Sequence, residues 1–142
     1  MIIYKKAKKK DLPMLIEYKL QTITPYLKTS EEKLKVIAYV SEFVRNNFDK
    51  FMIIHYYFKK IGCFLIIDNE LDTLYIIDKY RNRKIGSKIL KKENIKKENI
   101  KKTKVKKKNE KAIKFYEKNG FSKKEEKEDY IILERIDKYE NE

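Results

Sequence analysis

Three glycines in 142 residues leave this chain few places to turn freely, so the positions it keeps for them constrain its fold most. Gly62 lies in KKIGCFLII, Gly86 in YRNRKIGSKIL and Gly120 in NEKAIKFYEKNGF. Glycine is kept where the backbone turns sharply, takes a positive φ or admits a close neighbour. In a lysine-rich chain these three mark backbone that a side chain would obstruct.

Around them, hydrophobic periodicity sets out one α/β order. Ile2 to Lys6 reads as a short strand. Asp11 is a good N-cap and Pro13 suits a first turn, so a helix is expected from Leu12 to Ile23. Thr29-Ser30-Glu31-Glu32 offers a capping box, followed at helical spacing by Leu34, Ile37, Val40 or Ser41, Val44 and Phe48. Phe51 to Tyr57, Lys60 to Ile67 and Glu70 to Asp78 are β-rich. Asp68-Asn69 suits a tight hairpin turn, whereas the turn near Phe58-Lys59 lacks the usual Gly or Asn. A helix opening near Arg83 to Gly86, a strand over Lys101 to Lys107 and a helix capped by Asn109 come next. A hairpin of Phe121 to Lys124 with Tyr130 to Ile136 closes the order. The tandem repeat KKENIKKENI, Lys91 to Ile100, has a period of five, so the back half of its helix is expected to bury poorly.

Composition narrows the function. The length suits a single domain. No apolar run approaches the roughly 20 residues of a membrane span. The start, MIIYKKAKKKD, is too short in apolar residues for a secretion signal, so a soluble, cytoplasmic protein without a membrane partner is expected. One cysteine and one histidine argue against a disulfide or a nitrogen–sulfur metal centre, and no metal is expected. The net charge of +14 would draw polyanions, but 32 of the 36 cations are lysine, the less specific phosphate reader. Most of that excess reads as compositional drift.

The first stretch with chemistry is YRNRKIGSKIL. A strand ending in a basic turn that opens a helix turns backbone N–H groups and the positive helix end toward an anion. Arg81, Arg83, Lys84 and Lys88 add charge, and Gly86 allows either a close ligand or close helix packing. Neither a Walker A loop nor a dinucleotide fingerprint is present.

This turn resembles the acyl-CoA loop of the GNAT N-acyltransferases, Gln/Arg-x-x-Gly-x-Gly/Ala, with Arg81 and Gly86 matching its ends. NEKAIKFYEKNGF is similar to the family's second motif through Asn109, Ala112, Phe115, Tyr116, Glu117, Gly120 and Phe121. ELDTLYI and AKKKDLPML are also GNAT-like, so the resemblance runs through the chain in order. Lys84 departs from it, standing where the loop has its middle glycine and expected in the right-handed region at the start of the helix.

The resemblance implies a single GNAT domain over residues 1–142. Its fold would be a mixed, mostly antiparallel twisted sheet of about seven strands with about four helices. Parallel strands four and five would splay to hold acyl-CoA. Leu74, Ile76, Arg81, Asn82, Arg83, Lys84, Ile85, Gly86, Ser87, Asn109 and Tyr116 are then the expected cofactor-binding residues. The implied reaction is acetyl transfer from acetyl-CoA to a primary amine, of a small molecule or a peptide, by direct attack on the thioester. Glu70 takes the position of a general base, with Asp72 or a water chain as rivals, and Tyr116 that of proton donor to the departing thiolate. Asn109 caps its helix whether or not it touches the cofactor. His55 and Cys63 read as structural.

Two other classes compete. One is a catalytically silent acyl-CoA-binding or regulatory module on the same fold. The other is a basic nucleic-acid-binding protein, ranked last because no aromatic-and-basic RNA motif or helix-turn-helix is present. The acceptor and the oligomeric state stay open, a homodimer being admissible.

Overall fold

A computed structural model describes residues 1–91 and 100–135. Seven strands form one mixed sheet there: β1 (Ile2–Lys6), β2 (Phe51–Tyr56), β3 (Lys59–Ile67), β4 (Glu70–Ile76), β5 (Lys102–Lys106), β6 (Ser122–Glu126) and β7 (Tyr130–Glu134). Four helices accompany them: α1 (Leu12–Ile23), α2 (Ser30–Asn47), α3 (Ile85–Leu90) and α4 (Glu110–Lys118). The strand order is β1-β2-β3-β4-β5-β7-β6, and β4 and β5 run parallel. The back half of the repeat helix and the far end of the last expected strand fall outside the described residues.

Two compact units divide the chain, with boundaries after Leu65 in β3, after Asp72 in β4 and after Ile85 at the start of α3. The first comprises Met1–Leu65 and Thr73–Ile85. Its core is formed by Leu15, Val40, Val44, Phe51, Ile53, Ile54, Ile61, Cys63 and Leu65, all within 1% of complete burial. Thr29 caps α2 by accepting from the N–H of Glu32, and Glu32 reaches back to the N–H of Lys28. Leu34 and Ile37, expected on the buried face of α2, are exposed. Their period is helical, but a period shows which face is apolar and not how far along the helix a neighbour extends.

Asp11 also departs from its expected role. Its carboxylate does not cap α1; it accepts from the N–H of Lys8 and from Lys60 Nζ, each at 2.8 Å. A 3₁₀ turn over Lys9–Asp11 precedes α1 and uses the carboxylate that a simple N-cap would have left for the helix. The first hairpin turns at Tyr57-Phe58, one residue earlier than expected, and Tyr57 adopts φ 56° without a glycine to ease it. Asp68 and Asn69 both take positive φ, 50° and 66°, as the mirror-image hairpin turn requires.

Gly62 is needed for close approach. A Cβ there would stand 2.1 Å from the Tyr75 carbonyl oxygen, inside any permitted contact. In the second unit, Gly120 at φ 91° ends α4. Its N–H donates to Glu117 and that of Phe121 donates to Tyr116, the paired bonds of a Schellman stop.

Candidate active site

β4 carries three of the residues expected in the site, Leu74 and Ile76 in the first unit and Glu70 in the second. In the first unit Leu74 and Ile76 are half-buried, and the Ile76 carbonyl accepts from Arg81 Nε at 2.7 Å. Arg81 also pairs with Asp78 and lies 5.4 Å over the Tyr75 ring. The guanidinium therefore fastens the turn to the strand it leaves. Tyr80 is buried beneath that turn, with Arg83 at 5.1 Å and Lys79 at 6.0 Å from its ring centre.

β4 stops at Ile76 rather than Asp78, because Asp78–Tyr80 forms a 3₁₀ turn. Beyond it Asn82 takes φ 63° and Lys84 φ 61°. Lys84 is thus left-handed, against the right-handed conformation expected of it. The turn is still completing its reversal at residue 84, and α3 begins only at Ile85. Left-handed residues within a turn bend successive N–H groups toward one side, the geometry that receives an anion. Arg81 to Lys84 are exposed, so both side-chain charge and backbone can reach a ligand there.

A buried lysine backs the same strand. Lys19 of α1 donates to Thr73 Oγ1 at 2.8 Å and lies 4.7 Å from the Phe43 ring centre. Sequence reasoning did not single it out. Its place four residues after Leu15, on the apolar face of α1, was the available signal.

In the second unit, β4 and β5 pair at Glu70↔Lys102 and Leu71↔Thr103, where the described register ends. Thr103 Oγ1 donates to the Leu71 carbonyl at 2.9 Å and is hydrogen-bonded to the Tyr116 phenol. Burial pushes the Tyr116 pKa up to about 12, so the group is a neutral O–H at any physiological pH. The sequence signal for Thr103 is its alternation in KTKVK, on the buried face with Val105 between exposed lysines.

Asn109 Oδ1 accepts from the N–H of Ala112 at 3.1 Å, the capping bond expected of it. Glu70 stands 3.8 Å from Lys102, its side chain 21% exposed, and Asp72 is exposed. Gly86 is buried within α3, while the Ser87 hydroxyl accepts from Asn119 Nδ2 at 3.4 Å.

The first unit thus holds Leu74, Ile76 and Arg81 to Ile85; the second holds Glu70, Gly86, Ser87, Asn109 and Tyr116. Cys63 is buried, and desolvation raises its thiol to about 12, which leaves it a small apolar group and no nucleophile. Burial, then Lys5 and Lys60 nearby, lower the pKa of His55 and favour its neutral form. Among the described residues no cluster of three or more His, Cys, Asp or Glu could hold a metal ion.

Strand order, the parallel β4–β5 pair and the capped helix carrying a buried phenol define an acetyltransferase fold. The model of the acetyltransferase (GNAT) domain matches residues 47–123, more than half the chain. The chain belongs to this family and is an acyltransferase of the N-acetyltransferase type. Among solved structures it is similar to the PaiA N-acetyltransferase of Thermoplasma acidophilum in complex with coenzyme A, at 26% identity and TM-score 0.75. That match covers 96% of this chain and 99% of the other. YjaB from Escherichia coli in its apo form aligns at 17% identity and TM-score 0.74, over 96% and 98% of the two chains. Naa50 of Arabidopsis thaliana, in complex with the bisubstrate analogue CoA-Ac-MVNAL, aligns at 19% and TM-score 0.61, over 96% and 99%. A search of curated proteins gave no match.

Proposed function

We propose that this chain, read as one domain, transfers the acetyl group of acetyl-CoA to a primary amine by direct attack on the thioester. The observation that carries the reading is the buried, neutral phenol of Tyr116, hydrogen-bonded to Thr103 of the last described β4–β5 pair. The coenzyme A held by the PaiA protein, at 26% identity, supports acetyl-CoA as the co-substrate.

An alkyl ammonium loses its proton near pH 10.4, so a base must free the attacking nitrogen. The carboxylate of Glu70 takes that role, directly or through water, with Asp72 as its rival on the same strand. The nitrogen then forms a bond to the thioester carbon, and the N–H of Leu74 stabilises the resulting oxyanion. Collapse breaks the carbon–sulfur bond. A thiolate whose conjugate acid has a pKa of about 8.5 is too weak a base to take the proton from Tyr116 outright. Tyr116 therefore acts as a hydrogen-bond donor to the departing sulfur, and the second proton of the attacking nitrogen passes through water to the thiolate. The cofactor phosphates are held by the turn from Arg81 to Ser87, and Asn109 shapes the helix that presents Tyr116.

The test is a thiol-release assay with acetyl-CoA across polyamines, amino acids, aminoglycosides and peptides. The CoA–peptide analogue on Naa50 supports keeping peptide amines in that panel. Tyr116→Phe is expected to lower turnover about 100-fold on the accepted amine with CoA affinity unchanged. Unchanged turnover removes Tyr116 from the reaction, and Glu70→Gln against Asp72→Asn decides the base. The rival reading, a silent acyl-CoA-binding module, finds support in the left-handed Lys84 at the loop's glycine position. Thermal stabilisation by CoA without thiol release from any amine would establish it.

A further inference from the structure

One corner of the first unit has a surface that is given no role in the proposed acetyl transfer. β1 is an edge strand of the sheet, and the N–H of Tyr57 donates to the Met1 carbonyl, joining the tip of the β2–β3 hairpin to the start of β1. Four large apolar side chains are exposed there: Met1 at 71%, Ile3 at 38%, Tyr57 at 60% and Phe58 at 100%. The fold gains nothing by burial from a phenylalanine wholly in solvent. Presenting it also costs conformational energy, since Tyr57 is left-handed where hairpins prefer glycine or asparagine. The Tyr56 ring, 4.8 Å from that of Tyr57 and edge-on to it, braces the tip.

The charge around this corner has one sign. The segments that form this corner, residues 1–6 and 51–60, contain four lysines, Lys5, Lys6, Lys59 and Lys60, and no carboxylate. One of them, Lys60, is paired with Asp11. No arginine lies in either segment. Lysine is a point charge suited to a diffuse anionic surface, and lacks the planar fork that reads single phosphates. Apolar side chains projecting from a lysine-rich edge are the features of a peripheral membrane contact.

We propose that this corner docks on anionic phospholipid bilayers. Phe58 and Tyr57 enter the headgroup boundary beside Met1 and Ile3, and the surrounding lysines engage the lipid phosphates. A second copy of the chain is a poorer occupant, because two bodies of net charge +14 repel. Single-stranded nucleic acid could stack on Tyr57 and Phe58 but gives the exposed Met1 and Ile3 no role, and the test below separates it. Among the described residues no helix is long and apolar enough to cross a membrane, but a peripheral contact needs no span.

The chain contains no tryptophan, so Phe58→Trp introduces a single indole at the tip. Vesicles of phosphatidylcholine alone are compared with vesicles containing about 30 mol% phosphatidylglycerol. Sedimentation with the anionic vesicles only, and a blue shift of the indole on binding, are expected. Phe58→Ser is expected to weaken partitioning about tenfold, and Lys5→Glu with Lys6→Glu to abolish it. An unchanged thermal midpoint for Phe58→Ser establishes that folding is intact. Equal binding to neutral vesicles, or no blue shift with bound protein, overturns the proposal. So does displacement by acetyl-CoA, which would assign the lipid contact to the Arg81–Ser87 turn. A single-stranded oligonucleotide that binds more tightly than the vesicles and depends on Phe58 assigns the corner to nucleic acid instead.

Discussion

Lys84 carries a Cβ at φ 61°, where an L-residue pays about 1–2 kcal/mol for contact with its own carbonyl. Lys84→Gly removes that strain and returns part of the gain as entropy of the unfolded chain. The net expectation is a rise in stability of about 0.5–1 kcal/mol, measured by urea denaturation. Asn82 stands at φ 63° in the same turn, yet a short polar side chain tolerates this region, so Asn82→Gly is the control and is expected to change little. Equal effects at both positions would show that Lys84 is not strained. The lysine identity of residue 84 gave no hint of its conformation, whereas Asp68 and Asn69 announced theirs, because side chains of their type are recurrent left-handed residues.

The element most exposed to a single change is the β3–β4 pair. Gly62→Ala drives a methyl group into the Tyr75 carbonyl oxygen and to 3.0 Å from the Ile76 Cα, both backbone atoms that have no rotamer to yield. A loss of about 3 kcal/mol or more is expected in denaturant melts. Any folded fraction is expected to bind acetyl-CoA more weakly, since Leu74 adjoins the displaced residues. Retention of wild-type stability would mean that the two strands are farther apart than described. At this scale the caps were readable because Thr29 and Asn109 act through bonds to residues three positions away. The bare face of α2 at Leu34 and Ile37 was not, since burial depends on a partner distant in sequence. Thr103 was legible as an inward strand residue, but its bond to Tyr116 required the fold to bring β5 and α4 together.

For the molecule as a whole, pH tests two buried acids at once. Burial raises Cys63 from 9.0 and Tyr116 from 10.0, each to about 12. The unfolded chain therefore gives up these protons first as pH rises, and stability falls with pH. Their contribution is complete below pH 9.0 and is lost between there and about 12. Denaturation free energies taken at intervals from pH 7 to 11 are expected to decline beyond about 9. Cys63→Ala is expected to flatten the first part of that decline. A level profile through pH 10 would show that neither group is sealed from water.

Lys19 gives this lysine-rich surface a built-in clock. An amine-reactive label will modify solvent-facing lysines first, whereas the ammonium of Lys19 reacts only after α1 has lifted from Thr73. Site-resolved mass spectrometry of labelling over time then separates that one rare opening from the reactivity of the exposed lysines around it.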